Sequence, residues 1–360
     1  MASVDEQYIL ETLRLAERGR GKVSPNPMVG AIITRQSQVI ARGYHRKFGG
    51  PHAEIDALRQ AQEDVSGATL YVNLEPCVHH GKTAPCAEAV LRAGIGRVVV
   101  GSVDPNPLVS GAGVKLLRKN GVDVITGVCE ENCRQLNKGF YSRMERGRPA
   151  VTIKAAQTLD GKISRGTSKR DLISSEESQR YVHKLRARHD AILIGRRTAE
   201  LDNPLLTVRH GGGASPRRIV LDSRLHLPLS LQMFQPEYAE NTIVLTTSAA
   251  PPHRKQMLEK ANVTVIKVRS NAEGFISLTQ ALNKLGDMDI LTLLVEGGGQ
   301  VIQSFFKSQL VDDLHIITAP KVFGEGLALF QRTFRPEINV RKVRRLGPDI
   351  IMEAEVTANG

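Results

Sequence analysis

The sequence predicts an α/β protein of two domains, on three observations. Its 360 residues exceed the length at which a single core keeps growing. Strand-sized and helix-sized apolar patterns alternate along the chain in two separate runs. Between the runs lies a basic, helix-breaking stretch, residues 143–149 (Arg-Met-Glu-Arg-Gly-Arg-Pro), read as a linker, so the domains are drawn as 1–146 and 147–360.

In the first run, Ile9, Leu10, Leu13 and Ala16 recur at helical spacing within 7–18. Residues 28–34 and 39–43 read as strands across a polar turn, 53–62 as a helix and 68–74 as a strand. A helix over 85–93, a buried strand over 97–100, a helix over 113–120 and a strand over 122–126 complete it. Strands interleaved with helices of this length imply helices packed on a mostly parallel sheet. The second run has strands over 150–156, 191–195, 218–222, 242–246, 263–268, 290–296 and 314–319, with helices over 176–188 and 300–308. Gly211–Gly213 reads as a surface loop, and no repeat of fixed period is visible.

Composition narrows the function. Lys and Arg total 49 against 37 Asp and Glu, a net charge of +12, which suits nucleic acid or an anionic small substrate such as a phosphate ester. Aromatic residues are only 4% with no Trp, so platforms for stacking bases are poorly supplied and no nucleic-acid partner is expected. Four cysteines are too few for a disulfide framework and fit a reducing cytoplasm. The longest apolar stretches are strand-sized, so no membrane span is expected, and the acidic start of the chain is not a signal peptide.

The chemistry is concentrated in two places. Pro51-His52-Ala53-Glu54 opens a helix; Leu74-Glu75-Pro76-Cys77 follows some twenty residues on, and Cys86 begins another helix. One imidazole and two thiolates form a three-ligand zinc set with a fourth position open for water, as a catalytic site requires. Glu54 is not a ligand; it can carry the proton from attacking water to a departing amine. Eight residues separate Cys77 from Cys86, where nucleic-acid and cytidine deaminases have two, and His79 and Lys82 lie in that loop, available to a polar or anionic substrate. Asp104 falls at a strand end, a usual place for ligand contacts in α/β sheets. Cys129 and Cys133, with no further ligand nearby, read as ordinary core spacing. In the second run, Val295-Glu-Gly-Gly-Gly299 joins a strand to a helix and would let backbone N–H groups approach a phosphate.

Leu74-Glu-Pro-Cys-Val-His-His-Gly-Lys-Thr-Ala-Pro-Cys86 resembles the signature of the bifunctional riboflavin-biosynthesis deaminase/reductases. So do Asn26-Pro-Met-Val-Gly30, Gly49-Gly-Pro-His-Ala-Glu54, the 104–113 segment and Leu136-Asn-Lys-Gly-Phe140, in the family's order. In the second half, Lys154-Ala-Ala-Gln-Thr-Leu-Asp-Gly-Lys-Ile163, Leu185-Arg-Ala-Arg188, the 198–209 segment and Val220-Leu-Asp-Ser223 are similar to the family's reductase domain. The resemblance implies a cytidine-deaminase-like α/β/α sandwich followed by a dihydrofolate-reductase-like α/β domain. It implies Zn2+ and NADPH as cofactors, a phosphoribosylated pyrimidine as substrate, and a homo-oligomer.

Carried over by position, Asn26, His79, Lys82 and Asp104 would hold the pyrimidine. Ala156, Leu172, Thr198, Asp202, Ser223 and Gly298 would contact NADPH. Lys154, Arg170, Arg186, Leu206, Arg209 and Glu296 would meet the phosphoribosyl group. One departure stands out: Arg170 replaces a small hydroxyl residue of the family pattern and Leu172 replaces an aromatic one. It motivates one alternative, an active deaminase whose second domain no longer reduces. The other alternative is a tRNA-modifying zinc deaminase with a basic RNA-binding domain.

Overall fold

The computed structural model describes residues 2–78, 85–106, 109–166, 172–210, 212–330 and 336–357. The chain divides into two compact units, Met1–Gly147 and Arg148–Gly360.

In the first unit, α1 (Val4–Ala16) opens with a capping box, Ser3 and Glu6 each accepting the other's backbone N–H. Strands β1 (Gly30–Arg35) and β2 (Gln38–Tyr44) lead to α2 (Ala53–Gln60), and β3 (Thr69–Leu74) to α3 (Cys86–Arg92). Then come β4 (Arg97–Ser102), α4 (Ala112–Lys119), β5 (Asp123–Thr126), α5 (Glu130–Leu136) and α6 (Lys138–Arg146). The sheet order is β2-β1-β3-β4-β5. It is less parallel than the sequence suggests: β2, β1 and β3 are antiparallel, and only β3, β4 and β5 run parallel. The cause is the two-residue connection Gln36-Ser37, with φ of 47° and 61°, which can only fold back as a hairpin.

Alternation along the strands fills both faces. Ala31, Ile33, Leu70, Val72, Val98 and Val100 pack towards α2, α3 and α4, while Ile32, Tyr71 and Val99 meet Ile9 of α1 and Cys133 of α5. Cys133 is thus a core residue. The expected linker is shorter than its composition suggests. Arg143 and Arg146 form the last turn of α6, where cations suit the helix dipole, and the helix stops at Gly147 with φ 67°. Arg148 is buried, its guanidinium bonded to both Asp312 oxygens at 2.7 and 3.1 Å, and Asp312 also takes the Val151 N–H.

The second unit begins with β6 (Ala150–Thr158), β7 (Lys162–Ser164), α7 (Glu176–Arg186), β8 (Ala191–Gly195), α8 (Arg196–Asp202) and β9 (Arg217–Leu221). It continues through α9 (Pro236–Ala239), β10 (Thr242–Thr246), α10 (Pro252–Lys260), β11 (Thr264–Lys267), α11 (Leu278–Asp287), β12 (Thr292–Val295) and α12 (Gly299–Lys307). It closes with β13 (Asp313–Ala319), β14 (Leu327–Ala328), β15 (Glu337–Leu346) and β16 (Asp349–Thr357). Among the described residues the main sheet has the order β11-β10-β9-β8-β12-β6-β13-β16-β15, parallel from β11 to β13 and antiparallel from there. Val151, Ile153, Leu193 and Leu293 pack against Leu282 of α11 and Phe305 of α12; Ile192, Ile194 and Val220 pack against Val182 and Leu185 of α7. The β15–β16 hairpin has no counterpart in the sequence reading. β15 is a sheet edge, and Arg341, Lys342, Arg344 and Arg345 break the apolar alternation that marks inner strands.

Candidate zinc centre and cofactor cleft

In the first unit, ends of the secondary-structure elements deliver the predicted ligands to one point. His52 is the N-cap of α2, Cys77 follows β3 by three residues, and Cys86 is the first residue of α3. The His52 Nδ1 lies 3.2 Å from the Cys86 Sγ and 3.6 Å from the Cys77 Sγ, and the Cys86 N–H donates to the Cys77 sulfur at 3.4 Å. All three donor atoms fall within 4.8 Å of one another, the only such group of three among the described residues. One nitrogen and two sulfurs so close together are a donor set that zinc takes, so the residues fit the ion. The bond from Cys86 holds the Cys77 thiol at about 4, and the same proximity with burial pushes Cys86 up.

Glu54, two residues after His52, is buried beside this group. Burial pushes its carboxyl up to about 7, with the nearby His52 acting the other way. Of the residues expected to hold the pyrimidine, Asn26 is part-buried and Asp104 buried, the Asp104 carboxylate accepting the Asn106 N–H at 2.8 Å. His79 and Lys82 lie outside the described residues.

Residues that the sequence reading passed over hold this arrangement together. Asn73 and Asn137 clamp the strand entry at Met28 and Gly30: Asn137 Oδ1 accepts from Met28 N at 2.8 Å, and Asn73 Oδ1 from Gly30 N at 2.8 Å. Glu75 is buried and accepts backbone N–H groups from Asp104, Gly111 and Val114 at 3.2, 2.9 and 3.1 Å. It thereby caps α4 from the turn that carries Cys77 and fixes the backbone of Asp104. His45 bridges Asn26 and the Pro51 carbonyl. The available signals were an acid directly before Pro-Cys, and a histidine continuing the inward alternation of Ala41 and Gly43.

The second unit presents a cleft of about 1310 Å³. Of the residues expected to touch a nicotinamide cofactor, Thr198, Asp202, Ser223 and Gly298 line it. Gly298 is the N-cap of α12 and donates its N–H to the Thr198 Oγ1 at 3.1 Å. A Cβ on neighbouring Gly297 would lie 2.7 Å from Val301, so the turn hugs its own helix and leaves the cleft open. Size, backbone donors and hydroxyls fit a dinucleotide. Ala156 and Leu172 are not in the lining: Ala156 packs against the core and Leu172 is 62% exposed.

Three residues expected at the phosphoribosyl group meet outside that cleft. Arg186 binds both oxygens of Glu296 at 2.8 and 2.9 Å, and the Lys154 Nζ lies 3.8 Å from the same carboxylate. Burial acts to raise the pKa of Glu296, but the two cations outweigh it and hold the group at about 2. The Arg186 fork is therefore committed to Glu296, and its remaining nitrogen donates to the Thr207 carbonyl. Arg209 gives its backbone N–H to His183 Nδ1, and its guanidinium has no protein partner among the described residues. Leu206 is buried with φ 56°, a backbone state that leucine rarely adopts. Arg170 lies outside the described residues.

Fold and sites together define a two-domain enzyme, a zinc-dependent deaminase followed by a reductase. Two family models match: the cytidine and deoxycytidylate deaminase zinc-binding region over residues 2–102 and the RibD C-terminal domain over 149–352. The chain is 42% identical to the riboflavin biosynthesis protein RibD of Aquifex aeolicus, over 97% of this chain and 98% of that protein, and 35% identical to the Escherichia coli protein over 97% and 98%. The chain belongs to the RibD family, the bifunctional deaminase–reductases of riboflavin biosynthesis. The solved structure of Acinetobacter baumannii RibD is similar with a TM-score of 0.89 at 34% identity, covering 99% of both chains. The deaminase/reductase of Thermotoga maritima is similar with a TM-score of 0.84 at 35% identity, covering 98% of this chain and 99% of that one. The enzyme acts on a pyrimidine, with zinc and NADPH as cofactors. No helix among the described residues is long and apolar enough to cross a membrane.

Proposed function

We propose that residues 1–146 deaminate 2,5-diamino-6-(5-phosphoribosylamino)pyrimidin-4-one at its 2-amino carbon, and that residues 147–360 then reduce the ribosyl group to ribityl. The observation that carries the reading is the convergence of His52, Cys77 and Cys86 beside the buried carboxyl of Glu54.

His52, Cys77 and Cys86 would hold the metal. Zinc supplies the Lewis acidity that makes water a nucleophile at neutral pH. Glu54, with its carboxyl near 7, takes a proton from the attacking water and returns it to the leaving amine; a group poised at the working pH suits both transfers. Asn26, His79, Lys82 and Asp104 orient the ring. In the second unit Thr198, Asp202, Ser223 and Gly298 bind the cofactor, with Ala156 and Leu172 assigned to it by resemblance alone. Bound there, NADPH would supply the hydride for the ribosyl C1′.

Lys154, Arg186, Glu296 and Leu206 shape the sugar site, and Arg170 and Arg209 take the phosphate. Arg209 is the stronger candidate of the arginines described, because the Arg186 fork is already spent on a carboxylate. The reading extends to a cytoplasmic setting, where none of the four cysteines is tied up in a disulfide, and, as the resemblance implies, to a homo-oligomer.

The test is mass spectrometry of products after zinc-loaded protein meets the phosphoribosylated diaminopyrimidinone and NADPH. Ribitylaminouracil phosphate is expected. A halt at the deaminated ribosyl compound, with NADPH unconsumed, would overturn the assignment of the second unit and leave the first.

A further inference from the structure

We propose that His45 is a positioning residue for deamination, and that it sets the hydrogen-bonding direction of Asn26. The inference rests on the deaminase reading above, which supplies the substrate. His45 follows β2 and is buried, on the inward side with Ala41 and Gly43. Its Nδ1 lies 2.9 Å from the carbonyl oxygen of Pro51. A carbonyl only accepts, so Nδ1 carries the hydrogen, and the Nε2 of the neutral ring presents a bare lone pair. That Nε2 lies 3.2 Å from the Asn26 Nδ2. An amide nitrogen only donates, whereas a reversed amide would set two acceptors against each other. The Pro51 carbonyl therefore fixes the ring, and the ring fixes the amide.

What remains is the Asn26 Oδ1, which has no protein partner among the described residues. The His45 ring stands edge-on to His52 with centroids 5.5 Å apart, so one ring links this amide to the proposed metal ligand His52. Asn26 is thus an acceptor for the substrate. The pyrimidine must offer an N–H or amino group there, and an analogue with a lone pair at that edge is rejected, because two acceptors would be buried face to face.

The first experiment records two-bond 1H–15N spectra of the zinc-loaded full-length chain labelled at histidine, with His45→Phe identifying the resonance. Hydrogen on Nδ1 with a bare Nε2 is expected; hydrogen on Nε2 overturns the proposal. The second follows ammonia release. His45→Phe should raise KM about tenfold while kcat stays within about threefold, the pattern of lost substrate orientation rather than lost chemistry. His45→Gln, which again offers a donor and an acceptor, should recover most of the loss.

Zinc content per chain is measured alongside and should not change. An unaltered KM in the Phe variant overturns the positioning role. So does loss of zinc, since His45 would then serve the metal centre instead. A wild-type chain that shows hydrogen on Nδ1 but releases no ammonia overturns the deaminase reading and leaves the ring–amide assignment standing.

Discussion

Two carboxylates, the buried Glu54 and the part-buried Glu296, sit on opposite sides of the ordinary range, one at about 7 and the other at about 2. Burial pushes both upwards, and only Glu296 has two cations within reach to reverse it. The difference matches the tasks proposed for them, proton transfer in one case and a permanent charge in the other. Replacing Glu54 with Gln should lower the deamination rate by about 10²–10⁴-fold with zinc content unchanged, checked by ammonia release and metal analysis. Glu296 gives a prediction in pH. Its folded pKa lies below the ordinary 4.5, so its contribution to stability is complete above that value and fades as pH falls from about 4.5 to about 2. The stability gap between wild type and Glu296→Gln should shrink by on the order of 3 kcal/mol through that window in urea unfolding. A gap independent of pH would show that the ion cluster does not hold the charge.

At the scale of elements, the deaminase centre depends on close approaches between loops. A Cβ on Gly113 would lie 2.1 Å from the Pro76 carbonyl oxygen, where α4 is drawn onto the Cys77 turn through Glu75. Backbone cannot yield as a flexible side chain can. Gly113→Ala should therefore cost on the order of 1–3 kcal/mol in chemical unfolding. Gly121→Ala, at φ 83° with open space around it, should cost only about 1 kcal/mol. Equal costs would mean that the approach is looser than it stands here.

Elements also mark how far the sequence could be read. The candidate metal ligands, which the structure brings within 4.8 Å of one another, were legible because zinc chemistry demands particular residue types at helix starts and strand ends. Inner strands such as β8 and β12 were legible because burial on both faces makes them almost wholly apolar. The roles of Glu75, His45 and Asn137 were not, since their partners are backbone atoms or an amide, and spacing marks such residues as placed or buried without naming what they bond. Helix α11, with Leu278, Ala281, Leu282 and Leu285 on one side, had a readable signal that the reading passed over. The β15–β16 hairpin matters beyond its own pairing: Asp349 at its turn accepts from the Ser175 N–H and from the hydroxyls of Ser175 and Ser178, anchoring the start of α7. Helix α7 in turn ends at Arg186, the partner of Glu296.

For the whole molecule, the two chemistries draw on residues of separate compact units. Chelation should abolish deamination yet leave NADPH oxidation intact when the already deaminated ribosyl compound is supplied, followed by absorbance. Loss of both activities on chelation would tie the reductase to the metal. The place where the chain passes from one unit to the next has a further consequence. Arg148 looks like one more surface charge in a basic run, yet its guanidinium is sealed against Asp312, which also secures the first strand of the second unit. A polypeptide beginning at Pro149 would keep every residue of the cleft but lose both charge-assisted bonds to a buried carboxylate, a loss of several kcal/mol by precedent. A gene parted in two would retain a sturdy second product only with the break ahead of Arg148; one codon later, the same cleft would be encoded on a much weaker frame.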